Sequence, residues 1–333
     1  MTTNVLHFEY NSSMIFEKNF PSIFLEKIAK IYPKLDLSNA FTKDYPIIFR
    51  IIPPYDIFQI PLTNEQVTKV VGFENVYKLT NQLDSNANKI LDELFQKNII
   101  YFQSLPSLLV AKILSPSKTD KILDLCASPG SKASHLASLL ENPAFLTANE
   151  PSTPRRYKLK RILASMGLQE VKVTSHDGRS AWKYFGGEFD IVLCDAPCSG
   201  EGLFDIKDPK TYEGWSQKKV KNLAKLQKWL LMSAYSCTKP NGKFLYSTCT
   251  ISPEENEEVI SRFLERIKGK AELLPIDSNI FSAYNNDVFG LSFEPAKHNI
   301  AGYQSNTPIA NAIRILPSSK SIGFFYAYFH KLG

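Results

Sequence analysis

Apolar and polar positions change their rhythm near Thr119. Beyond it, KILDLC, AFLTANE, VKVTSHD, FDIVLCD and KFLYSTC are short apolar runs, each ending on small or polar residues. Between several of them apolar residues recur at helical spacing, as in Pro154 to Met166 and Val220 to Cys237. Strands alternating with helices predict an α/β fold whose parallel sheet is covered on both faces. A last apolar run, Gly323 to His330, predicts one closing antiparallel strand. The first hundred residues have another texture. Helical spacing over 20–33, 63–71 and 84–97 surrounds two strand-like runs, IIFRII and PYDIFQI. That predicts a small α+β domain over 1–100, ahead of a Rossmann-like domain over 101–333.

In sheets of this kind ligands bind beyond the carboxyl ends of the strands. Asp124–Lys132, Glu150, Asp177, Asp195–Gly200 and Cys249 all fall at such ends. In the first loop, Ala127, Ser128, Gly130 and Ser131 let backbone approach a ligand, and the following helix offers its amides. Gly130 is the lone glycine of that turn, so neither GxGxxG nor a P-loop is present. Glu150, 26 residues after Asp124, stands where an acidic side chain of this topology bonds ribose hydroxyls. Asp177 stands where a carboxylate can accept from an adenine amino group. Together they predict an adenosine-bearing cofactor without a large anionic tail, S-adenosylmethionine.

Composition narrows the class. With 333 residues, 44% hydrophobic and 12% aromatic, the chain can bury two cores, which excludes disorder. The greasiest stretch, Tyr45 to Leu62, is broken by Arg50, Pro53, Pro54 and Asp56, so no membrane span is expected. The amino terminus has no basic-then-apolar pattern, so no secretory signal is expected. Five cysteines, mostly inside apolar runs, predict a reduced, cytoplasmic protein rather than a disulfide framework. Net charge is +6, unevenly spread. Residues 1–100 carry ten Lys and Arg against eleven Asp and Glu, leaving +7 on the remainder. Arg155, Arg156, Lys158, Lys160 and Arg161 form one basic run, and Lys207 to Lys228 contains another, with Tyr157, Tyr212 and Trp215 interleaved. Either is a solvated helix face or a surface that neutralises phosphates.

Asp195, Cys198 and Cys249 bring one carboxylate and two thiols to the mouth of the sheet. Methylation of cytosine at ring carbon 5 needs such a set. A thiolate adding to ring carbon 6 makes carbon 5 nucleophilic, and a carboxyl near ring nitrogen 3 orients the base. A base must then remove the carbon-5 proton so that the thiol can leave. Positive charge from Lys132 would favour the thiolate. Cys126 and Cys194 lie in strand runs and Cys237 near the end of an apolar helix, so all three are expected to be buried. No CxxC or HxxxH pair exists, which argues against zinc, and no metal is expected. Among the histidines only His176 lies at the cofactor edge; His7, His135, His298 and His330 are expected to be incidental.

CASPGSK, NE, HDGR, DAPCSGEG and STCTISPEENEEV, in that order, resemble the motifs of the Nop/Sun family of RNA 5-methylcytosine methyltransferases, closest to the bacterial branch acting on 16S ribosomal RNA. The resemblance runs from Gln103 to Phe325. It implies a class I methyltransferase fold, with S-adenosylmethionine bound by Cys126, Ala127, Ser128, Pro129, Gly130, Ser131, Lys132, Glu150, Asp177 and Asp195, and Arg155 nearby. It also implies that Cys249 is the nucleophile and Cys198 the thiol that assists product release. The partner expected is RNA, ribosomal or alternatively transfer RNA, met by a monomer. A role as a non-catalytic ribosomal RNA assembly factor, or on DNA, stays open. Ala133 departs from the family's usual threonine. The chain also stops soon after the catalytic domain, without the further RNA-binding module of some members, so placement of RNA is expected to fall to the first hundred residues and the basic face.

Overall fold

The computed structural model describes residues 20–80, 85–286, 289–297, 299–300, 303–304 and 309–333. Five parallel strands form the centre: β5 (Ile122–Asp124), β6 (Leu146–Asn149), β7 (Lys172–Thr174), β8 (Phe189–Asp195) and β9 (Thr238–Thr248). Their order is β9-β8-β5-β6-β7, with chain reversal between β5 and β8 creating the switch point. These strands read as apolar because both faces are covered. Leu123, Val192 and Phe244 pack on one side with the helix Gln217–Cys237, and Ile122, Leu193 and Leu245 on the other with the helix Leu105–Leu114.

The closing strand is β15 (Phe324–Lys331), antiparallel to β9 as its position predicted. It does not end the sheet. β14 (Ile313–Leu316) and β11 (Ser292–Pro295) continue beyond it, and β10 (Ala271–Leu273) pairs with its far end, making nine strands.

A separate antiparallel sheet, β2-β3-β1-β4, is built from Val67–Lys69, Val76–Leu79, Ile48–Ile51 and Ile100–Phe102. The helix Ser85–Gln96 follows β3. Two local expectations fail here. Residues 63–71, spaced as a helix, form a turn and β2, because Val67 pairs with Leu79 of β3. PYDIFQI is no strand; Asp56 caps a single turn at Ile57–Gln59, and Gln59 bonds back to the Asp56 amide. Tertiary pairing overrides spacing in the first case, and an acidic cap overrides β-propensity in the second.

The helix Ser22–Ile31 does not lie on this small sheet. Phe20, Phe24 and Ile28 pack instead with Phe41, Phe204, Tyr212 and Trp215, beside the loop that follows β8. Tyr212 and Trp215, read from sequence as aromatics among surface charges, are therefore core residues, 7% and 8% exposed. Tyr157 is the exposed aromatic of the basic runs, at 71%.

One glycine determines how β5 turns into its helix. Gly130 has φ +118°, and a Cβ there would meet Leu159 Cδ1 at 3.1 Å and Ile162 Cγ2 at 3.3 Å. Gly130→Ala is expected to cost about 1–3 kcal/mol through backbone strain and this crowding, measured as a lowered urea midpoint with unchanged slope.

Candidate active site

The turn after β5 is clasped from below. Ser128 Oγ donates to the Arg155 carbonyl and Arg155 Nη2 donates to the Ser128 carbonyl, each at 3.1 Å. Asn149, fully buried at the end of β6, ties three strand ends together. Its Nδ2 donates to the carbonyls of Leu125 and His176, and its Oδ1 accepts from the His176 amide and Thr174 Oγ1. The next residue, Glu150, is 3% exposed, with Oε1 accepting from the Ser152 amide and Oε2 3.3 Å from Arg155 Nε. Asp177 is more open and holds Arg179 through both carboxylate oxygens, which keeps its carboxyl below the usual range. Asp124, at the end of β5, belongs with this group though no role was read for it. Burial, and next the negative Asp195, raise it to about 7 against the pull of Lys132. The strand ends thus gather Asp124, Glu150, Asp177 and Asp195 around a turn of small residues.

β8 and β9 run side by side with Asp195 opposite Ser247. Ser247 Oγ donates to Asp195 Oδ1 at 2.7 Å, and Lys132 Nζ lies 2.8 Å from Oδ2. Burial disfavours the Lys132 charge, but Asp195 outweighs it and the ammonium is held above its ordinary pKa. Beyond these strand ends the two cysteine loops converge. Cys198 Sγ and Cys249 Sγ are 3.3 Å apart, both part-exposed and unbridged. The hydrogen bond with Cys249, together with burial, pushes the Cys198 thiol well above its ordinary pKa. Gly202 sets the spacing of the first loop. Its amide donates to the Cys249 carbonyl at 3.0 Å, and a Cβ on it would lie 2.3 Å from the Gly323 carbonyl oxygen.

Behind both loops lies a buried polar frame. Glu255 Oε2 accepts from the Ser199 amide and from Gln227 Nε2, which also donates to the Pro197 carbonyl. Thr248 Oγ1 donates to Asn256 Oδ1, and Asn256 Nδ2 donates to the Thr250 carbonyl, bracing the Cys249 loop. Glu201 is 0% exposed and accepts from Trp215 Nε1 at 3.0 Å. Its cation comes from far away in sequence. Lys27 Nζ, from the helix Ser22–Ile31, lies 3.1 Å from Glu201 and 3.2 Å from Glu254, and donates to Ser252 Oγ at 2.6 Å. A second brace from the first hundred residues is buried Arg50. It donates to Gln103 Oε1 and Ser134 Oγ, fixing the helix after the β5 turn to β1. Nothing in the sequence around Lys27 or Arg50 marks them; Glu255 and Asn256 stand in the STCTISPEENEEV motif without an assigned role.

The remaining candidates sort simply. Cys194 and Cys237 are buried, and burial pushes Cys237 up to about 12. Cys126 lies just past β5 and is part-exposed, its thiol raised by a hydrogen bond with Cys194 and by burial. His176 stacks on Tyr184 at 3.8 Å. His135 is buried and held neutral, while His330 pairs with Glu272. His7 and His298 lie outside the described residues. Ala133 is buried in the helix Ser131–Ala137. Among the described residues no three His, Cys, Asp or Glu are grouped to hold a metal ion, and no helix is long and apolar enough to cross a membrane.

Comparison with known proteins adds the following. A family model described as 16S rRNA methyltransferase RsmB/F matches residues 111–330. Ribosomal RNA small subunit methyltransferase F of Cronobacter sakazakii is 36% identical over 180 residues, covering 54% of this chain and 37% of that protein. The tRNA (cytosine(49)-C(5))-methyltransferase of Pyrococcus abyssi is 36% identical over 189 residues, covering 57% and 60%. The matches thus span only part of these relatives' lengths. A solved methyltransferase homolog from Pyrococcus horikoshii superposes with TM-score 0.72 at 24% identity, covering 96% of this chain and 98% of that one. NSun6 from the same organism, solved with SFG, gives 0.57 at 28%, covering 72% and 55%. The fold is the class I methyltransferase fold.

Lys27→Met removes the cation from two carboxylates, one fully buried. Breaking a buried pair in this way costs about 3–5 kcal/mol, and chemical denaturation of the variant is expected to show a loss of that order at pH 8. Burial raises the Glu201 carboxyl, so it takes a proton as pH falls. The deficit relative to wild type should therefore shrink on acidification.

Proposed function

The chain belongs to the 16S rRNA methyltransferase RsmB/F family, and from that premise we propose that it transfers a methyl group from S-adenosylmethionine to carbon 5 of a cytosine in ribosomal RNA. The observation that carries this reading is the pair of thiols 3.3 Å apart beside the Asp195–Lys132 pair.

The residues at the strand ends fit S-adenosylmethionine. The turn at 126–131 is small enough for close backbone approach, and we assign Glu150 to ribose hydroxyls and Asp177 to an adenine amino group. The four carboxyls face Lys132, Arg155 and Arg179, which leaves no excess of positive charge for a di- or triphosphate. S-adenosylmethionine, when bound, supplies an electrophilic methyl group on a positive sulfur.

The chain's own residues supply the rest. In the Cys198–Cys249 hydrogen bond Cys198 acts as the donor, and Cys249 reacts as the thiolate. That thiolate attacks ring carbon 6 while Asp195, steadied by Ser247 and Lys132, orients the base through ring nitrogen 3. Once Cys249 is bonded to carbon, it is a poorer acceptor and the Cys198 thiol is released from it. The freed Cys198 thiol gives its proton to water, the thiolate so formed takes the carbon-5 proton, and Cys249 leaves as a thiolate by elimination. The thiol cannot reach carbon 6 inside a helix, so the target cytosine is unpaired or flipped out. Residues 1–100 position the RNA, and the protein acts as a cytoplasmic monomer.

A transfer RNA substrate is the second reading, favoured by the larger share of its length that the Pyrococcus abyssi protein matches, 60% against 37%. Bisulfite sequencing of ribosomal and transfer RNA from a deletion strain separates the two, by which RNA loses a methylated cytosine.

Cys249→Ala is expected to abolish methyl transfer and form no adduct. Cys198→Ala is expected to slow turnover at least about 10²-fold while a covalent protein–RNA species accumulates on denaturing gels. The reverse pattern would exchange the roles.

A further inference from the structure

A groove of about 510 Å³ lies where the first hundred residues meet the helix Thr153–Ser165. One wall carries Phe95, at the end of the helix Ser85–Gln96, and Tyr101 of β4; the other carries Lys158 and Arg161. Pro129 of the cofactor turn and Met166 also line it. Three features set it apart from an incidental crevice. Phe95 leaves 39% of its surface open, although its ring packs on Phe102 at 5.3 Å. Lys158 and Arg161 make no ion pair among the described residues, whereas Arg155 of the same helix is used by Glu150 and Arg156 by backbone carbonyls. The lining contains no Asp or Glu, so nothing in the groove neutralises its two cations.

Aromatic surface facing unpaired cations across a cleft is the chemistry that holds single-stranded nucleic acid, bases on the rings and phosphates on the cations. We propose that this groove is a subsite for a single-stranded RNA nucleotide outside the reaction pocket, with its base against Phe95 and Tyr101 and its phosphate on Lys158 and Arg161. The proposal rests on the RNA substrate argued above and names where the first hundred residues touch it. A double helix does not fit the role, because its bases are stacked on one another and not available to the rings. The groove also gives a use to two of the five basic residues in a thirteen-residue helix that has no acidic one. Arg155 clasps the cofactor loop, Arg156 holds the Glu150 and Pro151 carbonyls, and Lys158 and Arg161 face the strand that runs past.

The test measures binding of a mixed-sequence, single-stranded oligoribonucleotide to the full chain across a salt series, with thermal unfolding as the check on folding. Lys158→Ala/Arg161→Ala is expected to weaken binding about tenfold and to reduce the slope of log affinity against log salt by about 0.7, for the one phosphate the two side chains hold. Phe95→Ala is expected to weaken binding about tenfold with the slope unchanged. Wild-type affinity and slope in both variants, at unchanged unfolding midpoint, would overturn the subsite and leave the function standing. Wild-type protein that binds no RNA would overturn both. A dimer that the double variant abolishes, with RNA affinity unchanged, would assign the groove to a second copy of the chain and overturn the proposal.

Discussion

β8 and β9 leave the sheet as parallel neighbours, with Asp195 paired to Ser247 and the serine hydroxyl bonded to the aspartate. Everything at the mouth depends on that register. A one-residue slip would turn Asp195 to the opposite face of the sheet and separate it from Lys132. Because the strands end level, the loops that follow start from a common height. Gly202 then draws the first loop onto the Cys249 carbonyl, and the two sulfurs come within 3.3 Å. A thiol pair at that distance cannot hold two negative charges cheaply. The two sulfurs therefore share one proton in a hydrogen bond.

The first hundred residues are coupled to this arrangement through buried charge. Lys27 reaches Glu201 and Glu254 behind the cysteine loops, and Arg50 reaches Ser134 behind the turn after β5. Such pairs add little net stability over apolar packing, but losing one partner is costly. Their consequence is geometric. The loops that carry Cys198 and Cys249 are held against a frame in which Glu255, Gln227 and Asn256 pair with the loop backbone and Thr248 steadies Asn256. Buried Arg314 extends the frame, pairing with Glu257 and donating to the Ile251 carbonyl.

Much of this was legible in the sequence because the informative features are local. Short apolar runs ending on Asp124, Asn149–Glu150, Asp195 and Thr248–Cys249 name both the strands and their working ends. The alternation with helices then brings those ends to one edge. What stayed hidden depends on long-range partners. Lys27 and Glu201 are separated by 174 positions, and a lysine in an amphipathic helix looks like any solvated one. Tyr212 and Trp215 sit among lysines, yet the aromatic cluster around Phe20 and Phe24 buries them. β10, β11 and β14 were missed because β10 has three residues and the other two four, below the length at which a two-residue alternation stands out. Residues 63–71 show the opposite error, helical spacing overruled by pairing with β3.

The central claim is that Cys249, and not Cys198, bonds to the base. Its most direct test uses RNA in which the target cytosine carries fluorine at carbon 5, so that the elimination step cannot proceed. Wild-type protein incubated with this RNA and S-adenosylmethionine is digested, and the cross-linked peptide is located by mass spectrometry. The account predicts a methylated adduct on the peptide containing Cys249. An adduct on the Cys198 peptide, or methylation with no adduct at all, would contradict it.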